Sequence, residues 1–166
     1  MKLLLIRHAD AGDRDEFAKT GDPDSRRPLS EKGRTQMRSA ADGLRRLVPR
    51  ADLIVTSPYT RAVETANLVS DAYSTPIEET ETLEPESAPE NFEAWVRDRT
   101  NAALIIAVGH EPHLGAMATW LMCGTPNSHI EFKKGGACLL EFDGAIAKSA
   151  GMLRWLMGPK ELAALA

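Results

Sequence analysis

The chain has 166 residues, which is the size of one domain with a well-developed hydrophobic core. Its composition of 43% hydrophobic and 27% charged residues is typical of a folded globular protein and excludes an intrinsically disordered one. The net charge of -4 provides no basic field that would attract nucleic acid or an acidic membrane, so we expect neither as a partner.

The first third of the chain predicts a strand, a long loop and a helix. Residues 3–6, "LLLI", form a short apolar run typical of a strand that is covered on both faces. Residues 9–28 are polar and lack apolar periodicity, and loops of this length tend to be functional. A helix is expected over residues 29–48, with Ser30 as its N-cap and Pro49 ending it.

The middle and last thirds continue the alternation of strands and helices. A second buried strand is predicted over 52–57 and is followed by a helix with Ser57 as N-cap and Pro58 at its first position. The remaining expected elements are an edge strand within 76–83, a helix over 88–99, a buried strand over 103–109, a helix over 111–122, strands over 136–143 and 151–157, and a short helix over 159–165.

This order predicts an α/β fold with a mostly parallel central sheet and helices on both faces, which makes a three-layer sandwich. We see neither an internal repeat nor an interdomain linker, and therefore expect a single domain over residues 1–166.

Polar side chains follow three of the predicted buried strands at the point where each strand ends. Arg7 and His8 end the first strand, Ser57 ends the second with Arg61 shortly after it, and His110 ends the third. Because ligands bind outside the carboxyl ends of strands in open α/β sheets, we expect these side chains to share one site. Guanidinium groups and helix N-termini both favour a dianion, and phosphate is the obvious ligand.

The two histidines indicate which reaction the predicted site could catalyse. A neutral imidazole is a competent nucleophile toward phosphorus, and nearby arginines disfavour its protonated form. One histidine would attack a phosphoryl group and water would hydrolyse the resulting phosphohistidine. Arg7, Arg61 and the second histidine would stabilise the charge on the equatorial oxygens of the transition state.

Three segments of the chain resemble signature motifs of the histidine phosphatase superfamily, also called phosphoglycerate mutase-like. "LIRHADA" resembles its RHG motif, "SPYTRAVET" its S-P-x-x-R-A-x-x-T segment and "VGHEP" its GHEP segment, in the same order and spacing. The small size, together with "RRPLSEKG", "VGHEPHLG" and "LRWLMGP", is most similar to the SixA phosphohistidine phosphatase branch.

The resemblance implies a phosphoglycerate mutase-like fold, His8 as the nucleophile and phosphate binding by Arg7, His8, Arg61 and His110. Many family members carry a glutamate that acts as a general acid, and Glu84 is the candidate here, ahead of Glu86 and Glu81. The chain departs from the family at Ala9, which stands where glycine is usual and whose Cβ restricts the backbone.

Several other residues allow simpler interpretations. Arg26 and Arg27 could contact a protein substrate or form surface ion pairs. His110 and His113 have the spacing H-x-x-H but lack a nearby third ligand, so we expect no metal site, and we interpret His113 as a solvated residue in the first turn of its helix.

The sequence therefore predicts a metal-independent phosphatase without a cofactor. Its leading substrate is phosphohistidine of a signalling or phosphotransfer protein. The chain lacks the long insertions that form lids over small metabolites in larger relatives, so a shallow, open pocket is expected. One alternative is a phosphomonoesterase of the same superfamily that acts on a small phosphorylated molecule. A second, from another functional class, is an inactive module that binds phosphoproteins.

Location and assembly follow from simpler features. Two cysteines are too few for a disulfide framework, and the short apolar run at the N-terminus is not a signal peptide, so we expect reduced thiols and a cytoplasmic protein. The sequence shows no large apolar face for a partner subunit, and we expect a monomer.

Overall fold

A six-stranded sheet forms the centre of the computed structural model, which describes residues 1–99 and 101–166. The strand order is β3-β2-β4-β1-β5-β6. β5 runs antiparallel to both of its neighbours, and the other strands run in one direction. The strands are β1 (Lys2–Arg7), β2 (Leu53–Thr56), β3 (Ile77–Glu79), β4 (Leu104–Gly109), β5 (Ala137–Glu141) and β6 (Met152–Met157).

Helices cover both faces of the sheet, which confirms the predicted α/β fold. The helices are α1 (Arg14–Ala18), α2 (Glu31–Leu47), α3 (Thr60–Tyr73), α4 (Pro89–Arg97), α5 (His113–Cys123) and α6 (Pro159–Ala163), with 3₁₀ turns at Asp24–Arg26 and Glu81–Leu83. None of the helices that the structure describes is both long and apolar enough to span a membrane.

The alternation of side chains along β1 divides the core into two layers. Leu4 and Ile6 pack in one cluster with residues of α2, α3 and α6, whereas Leu3 and Leu5 pack in another with residues of α4 and α5. All four side chains are fully buried, as a strand in the middle of a sheet requires. This double coverage explains why "LLLI" is apolar without interruption.

The N-terminus of α2 agrees with the sequence-based prediction, and that of α3 differs from it. Ser30 caps α2 as predicted, because its hydroxyl accepts a hydrogen bond from the N–H of Gly33. The predicted start of α3 is wrong: the helix begins at Thr60, and Tyr59 is its N-cap residue. Ser57 instead extends the sheet, since its N–H donates to the carbonyl of Val108.

The segment 9–28, predicted as a loop, contains α1 and a 3₁₀ turn. Asp13 caps α1 by accepting hydrogen bonds from the N–H groups of Asp15 and Glu16. None of the residues of α1 is buried, so the helix has no apolar stripe that periodicity could reveal.

The edge strand β6 is more exposed than its apolar sequence suggests. Met152, Leu153 and Leu156 are 56%, 42% and 40% exposed, respectively. A shift in register against β5, between Leu139 and Leu140, interrupts the strand pairing. Such irregularities protect edge strands from pairing with other chains. The monomeric state stays a prediction.

Candidate active site

The structure brings the predicted side chains together at the carboxyl ends of three neighbouring strands. β2, β4 and β1 are adjacent in the sheet, and they end next to Ser57, His110 and His8, respectively. The ring centroids of His8 and His110 lie 5.1 Å apart, and Arg61 Nε lies 3.2 Å from His8 Nε2. These distances fit a common site for one tetrahedral anion.

His8 is held in a single tautomer by the backbone carbonyl of the residue that follows it. Its Nδ1 donates to the carbonyl of Ala9 at 2.7 Å, which leaves Nε2 with a lone pair, and Arg61 Nε donates to that atom. The N–H of Ala9 donates to Thr65 Oγ1 at 3.0 Å, and the Thr65 hydroxyl donates to the carbonyl of Arg61 at 2.7 Å. Thr65 therefore ties the residue after the histidine to the helix that carries Arg61.

Ala9 is compatible with this geometry. The non-glycine residues with positive φ among those that the structure describes are Ser74 and Ser149, so Ala9 does not need the left-handed conformation that favours glycine. The side chain is buried, at 2% exposure.

Burial keeps both histidines neutral. It lowers the pKa of His8 to about 3, against the opposing effect of the Ala9 hydrogen bond and with help from the positive charges of Arg61, Arg7 and Arg27. Burial also lowers the pKa of His110 to about 2, with smaller contributions from His8 and Arg61. A neutral imidazole is the form that attacks phosphorus.

His110 is positioned by its neighbours. Its Nε2 lies 2.9 Å from Ser57 Oγ, and its ring meets the ring of Tyr59 edge-on at a centroid distance of 5.0 Å. His110 Nδ1 is buried, and none of the described residues forms a hydrogen bond with it. Ser57 Oγ also accepts from the N–H of Tyr59, so the turn before α3 holds both the serine and the aromatic ring against His110.

Arg7 is fixed through the peptide group of Phe132. Arg7 Nη1 donates to the Phe132 carbonyl at 2.6 Å, while the Phe132 N–H donates to Glu111 Oε1 at 2.7 Å. The second oxygen of Glu111 accepts from the N–H of Gly115 at 3.1 Å. Arg7 Nε is buried and has no hydrogen-bond partner in the part of the chain that the structure describes, and a free cationic donor of this kind suits an anionic ligand.

Arg61 and Arg27 meet at the carboxylate of Asp24. Arg61 Nη1 donates to the Asp24 backbone carbonyl at 2.8 Å and lies 3.2 Å from Asp24 Oδ2. Arg27 Nε lies 2.9 Å from Asp24 Oδ1, and Arg27 Nη1 donates to the carbonyl of Ala11. Of the two arginines that the sequence left open, Arg27 is buried beside the cavity and Arg26 is exposed.

The structure brings Glu86, rather than the predicted Glu84, to the cavity. Glu84 is half-buried and lies outside the cavity lining, whereas Glu86 lies on it with Oε2 at 3.5 Å from the hydroxyl of Tyr59. The two residues follow the 3₁₀ turn Glu81–Leu83, whose path cannot be read from hydrophobic periodicity. Glu86 is exposed at the rim.

His113 is buried, and its predicted position in solvent is wrong. The residue is only 3% exposed, and neither ring nitrogen has a hydrogen-bond partner among the residues that the structure describes. Burial lowers the pKa of His113 to about 4. Among the residues that the structure describes, no group of three or more His, Cys, Asp or Glu side chains is arranged to hold a metal ion.

Both histidines of the site, His8 and His110, line one cavity of about 580 Å³. Its charged lining comprises five cationic residues, Arg7, Arg14, Arg27, Arg61 and Lys134, and four acidic ones, Asp13, Asp24, Glu86 and Glu111. Cationic groups therefore surround a neutral imidazole whose Nε2 carries a lone pair. This arrangement can bind a phosphate group and attack it.

Thr65, Tyr59 and Asp24 are among the residues of the site for which the sequence predicted no role. Thr65 could have been found as the last residue of "SPYTRAVET", four positions after Arg61 on the same helix. Asp24 lies in the long loop that the sequence predicted to be functional, but no pattern distinguishes it from the other acidic residues there.

Comparisons with known proteins agree with this geometry. The family model of the histidine phosphatase superfamily (branch 1) matches residues 3–95. An uncharacterized protein from Picosynechococcus sp. is 34% identical over 139 residues, which cover 82% of either protein.

Solved structures show the same fold over almost the whole chain. The protein histidine phosphatase SixA complexed with tungstate is similar with a TM-score of 0.83 and 25% identity, covering 98% of this chain and 99% of that one. A putative SixA from Nakamurella multipartitia has a TM-score of 0.80 and 24% identity over 95% of each chain. A putative alpha-ribazole-5'-P phosphatase from Escherichia coli has a TM-score of 0.77 and 17% identity over 96% and 97%. The predicted resemblance is thereby confirmed.

Proposed function

This chain belongs to the histidine phosphatase superfamily, and from that premise we propose that it removes phosphate from phosphohistidine on a protein, with His8 as the nucleophile. The observation that carries the proposal is the state of the His8 ring. Nδ1–H is bound to the Ala9 carbonyl, and Nε2 faces Arg61 in a cavity lined by cations. The nucleophile is thus neutral and oriented before any substrate binds.

The reaction proceeds in two displacements. His8 Nε2 forms a bond to phosphorus while the P–N bond to the substrate imidazole breaks, and the leaving nitrogen takes a proton from solvent. Water then attacks the phosphoryl group on His8, loses a proton, and inorganic phosphate is released as the His8–phosphorus bond breaks. Arg7, Arg61 and His110 bind the phosphoryl oxygens and stabilise the charge that they carry in both transition states.

The choice of phosphohistidine rests on the leaving group. An imidazole leaves with less need of protonation than an alkoxide, so its displacement does not require a strong general acid. Of the two glutamates considered for this role, Glu86 is exposed at the rim of the cavity and Glu84 lies outside the lining. A site of this kind favours phosphoramidate over ester substrates, and a phosphorylated cytoplasmic protein is the partner that we propose.

Neither a metal nor a cofactor is part of the proposed mechanism. Histidine supplies the nucleophile, and guanidinium groups supply the positive charge that a metal ion supplies in other phosphatases. Both tasks are therefore assigned to side chains that line the cavity.

A labelling experiment tests the proposal. The protein is incubated with a phosphohistidine peptide carrying ³²P, quenched in alkali, and examined for a protein-bound label that survives base and is lost in acid. We expect the label in the wild type and in His129→Ala, since His129 is exposed. We expect its loss in His8→Ala. A label of equal size in His8→Ala would exclude His8 as the nucleophile.

The alternative, hydrolysis of small phosphate esters, would use Glu86 as the general acid, since Glu86 is on the cavity lining although it is exposed. In that case Glu86→Gln would lower turnover of an alkyl phosphate ester at least tenfold more than Glu84→Gln would, because Glu86 reaches the cavity and Glu84 does not. For the phosphohistidine peptide, we expect both variants to retain wild-type turnover. An inactive phosphoprotein-binding module would bind the peptide in the same assay without releasing phosphate.

A further inference from the structure

The carboxylate of Asp24 lies among three guanidinium groups in the cavity. Arg27 Nε is 2.9 Å from Oδ1, Arg61 Nη1 is 3.2 Å from Oδ2, and Arg14 Nε is 3.7 Å from Oδ1. The Asp24 side chain is 26% exposed, whereas those of Arg27 and Arg61 are 10% and 6% exposed. The Asp24 carboxylate therefore already forms ion pairs with cationic groups that line the predicted phosphate site.

Arg61 connects this carboxylate to the nucleophile. One side of the guanidinium, at Nε, donates to His8 Nε2, and Nη1 donates to the backbone carbonyl of Asp24 while lying beside its carboxylate. A phosphoryl group on His8 Nε2 must lie within reach of Arg61, and it is consequently brought close to the Asp24 carboxylate. Two anions then share the same cations in a partly buried space, where charge interactions are stronger than in water.

The Asp24 carboxyl group is ionised at neutral pH. Burial raises its pKa, but the hydrogen bond from Arg27 and the charges of Arg61, Arg27 and Arg14 outweigh this effect and lower the pKa below its usual value. Asp24 is therefore poorly suited to donate a proton to a leaving group.

We propose that Asp24 is an internal anion that competes with phosphate for Arg61 and Arg27 and so prevents the site from retaining phosphate. This inference rests on the proposed function of the same site. Tight binding of a phosphorylated intermediate and of the product does not accelerate a reaction, because it deepens the ground state that must be left. The Asp24 carboxylate weakens the binding of the phosphoryl group in the intermediate and of the phosphate product. It thereby speeds dephosphorylation of His8 and release of inorganic phosphate.

An alternative role for Asp24, as a simple anchor of Arg61, makes the opposite prediction. Arg61 is also held by the backbone carbonyl of Asp24, which no side-chain substitution removes. Asp24→Asn therefore removes the charge and retains much of the anchor. If Asp24 only anchored the arginines, the variant would bind phosphate more weakly or equally well.

The test measures binding of inorganic phosphate by calorimetry, together with the steady-state fraction of labelled enzyme during turnover of the phosphohistidine peptide. For Asp24→Asn we expect a Kd for phosphate on the order of tenfold lower than that of the wild type, as removal of one opposing charge implies. We also expect a larger labelled fraction and a lower kcat. Asp22→Asn, an exposed residue of the same loop that lies outside the cavity lining, is the matched control and should resemble the wild type.

The outcomes separate this inference from the function on which it rests. A Kd in Asp24→Asn that is unchanged or higher, while the wild type still turns over the peptide, overturns the role of Asp24 alone. A wild-type protein that neither releases phosphate from the peptide nor becomes labelled overturns the proposed function and this inference together. If Asp24→Asn fails to fold, as judged by circular dichroism, Asp24→Ser is measured in its place with the same expected result.

Discussion

Replacement of His113 by leucine should make the protein more stable and less sensitive to acid. The residue is 3% exposed, and within residues 1–99 and 101–166 neither ring nitrogen has a hydrogen-bond partner. A neutral histidine at this position therefore buries one donor and one acceptor without compensation. An unpartnered buried polar group costs about 1–3 kcal/mol, and leucine is an apolar side chain of similar size. We expect His113→Leu to raise the free energy of unfolding at pH 7.5 by about 1 kcal/mol, after allowance for imperfect packing.

The difference in unfolding free energy between His113→Leu and the wild type should grow as the pH falls. The folded protein holds the pKa of His113 at about 4 because the ring is buried, whereas an unfolded chain has a pKa near 6.5. Between these values the unfolded state binds more protons, so stability decreases as the pH falls from about 6.5 to about 4 and is unaffected above that window. Each pH unit corresponds to about 1.4 kcal/mol, and the contribution at pH 5 is therefore about 2 kcal/mol.

Urea unfolding at pH 7.5, 6 and 5 measures both effects. We expect the curves of wild type and His113→Leu to diverge by about 2 kcal/mol between pH 7.5 and pH 5. His129→Leu, at an exposed position, is the control for replacement of a histidine by leucine. Parallel curves for the wild type and His113→Leu over this range would refute the reasoning, because they would mean that the buried ring takes up its proton as readily as an exposed one.

Three further perturbations test the site. Thr65→Val leaves the buried N–H of Ala9 without its acceptor and should cost about 1–3 kcal/mol of unfolding free energy in urea, and a loss as large in Thr65→Ser would contradict this role of the hydroxyl. Arg61→Lys retains the charge but loses the planar fork, so kcat/KM for the phosphohistidine peptide should fall roughly 100-fold, and activity within threefold of wild type would contradict the need for that fork. Treatment with EDTA should leave phosphatase activity within about twofold, and activity restored specifically by added metal would disprove the metal-independent mechanism.

The elements most easily predicted were those with one dominant local signal. The buried strands read as uninterrupted apolar runs, and α2 combined an N-cap at Ser30 with a regular apolar stripe. The sequence predicted two roles for Ser57, as the last residue of the second strand and as the N-cap of α3. Pairing of its N–H with the carbonyl of Val108, a contact between strands, decided between them.

Acidic residues and histidines outside the motifs were harder to place. Glu84 and Glu86 differ by two positions along the chain, and only the path after the 3₁₀ turn brings the second of them to the cavity. His113 lies in a helix whose faces are almost uniformly apolar, so its sequence neighbours did not reveal which side meets the core. Neither position follows from periodicity in the local sequence.

The sequence alone determined the sheet, its covering helices and the meeting of Arg7, His8 and His110, because buried strands have a local signature and parallel strands end at a common edge. The tertiary structure decided which other polar groups contact these site residues. The Asp24 carboxylate comes to Arg61 and the Thr65 hydroxyl comes to Ala9 from segments far apart in the chain. Polar contacts over such separations depend on the packing of whole elements, and no periodicity in the sequence records them.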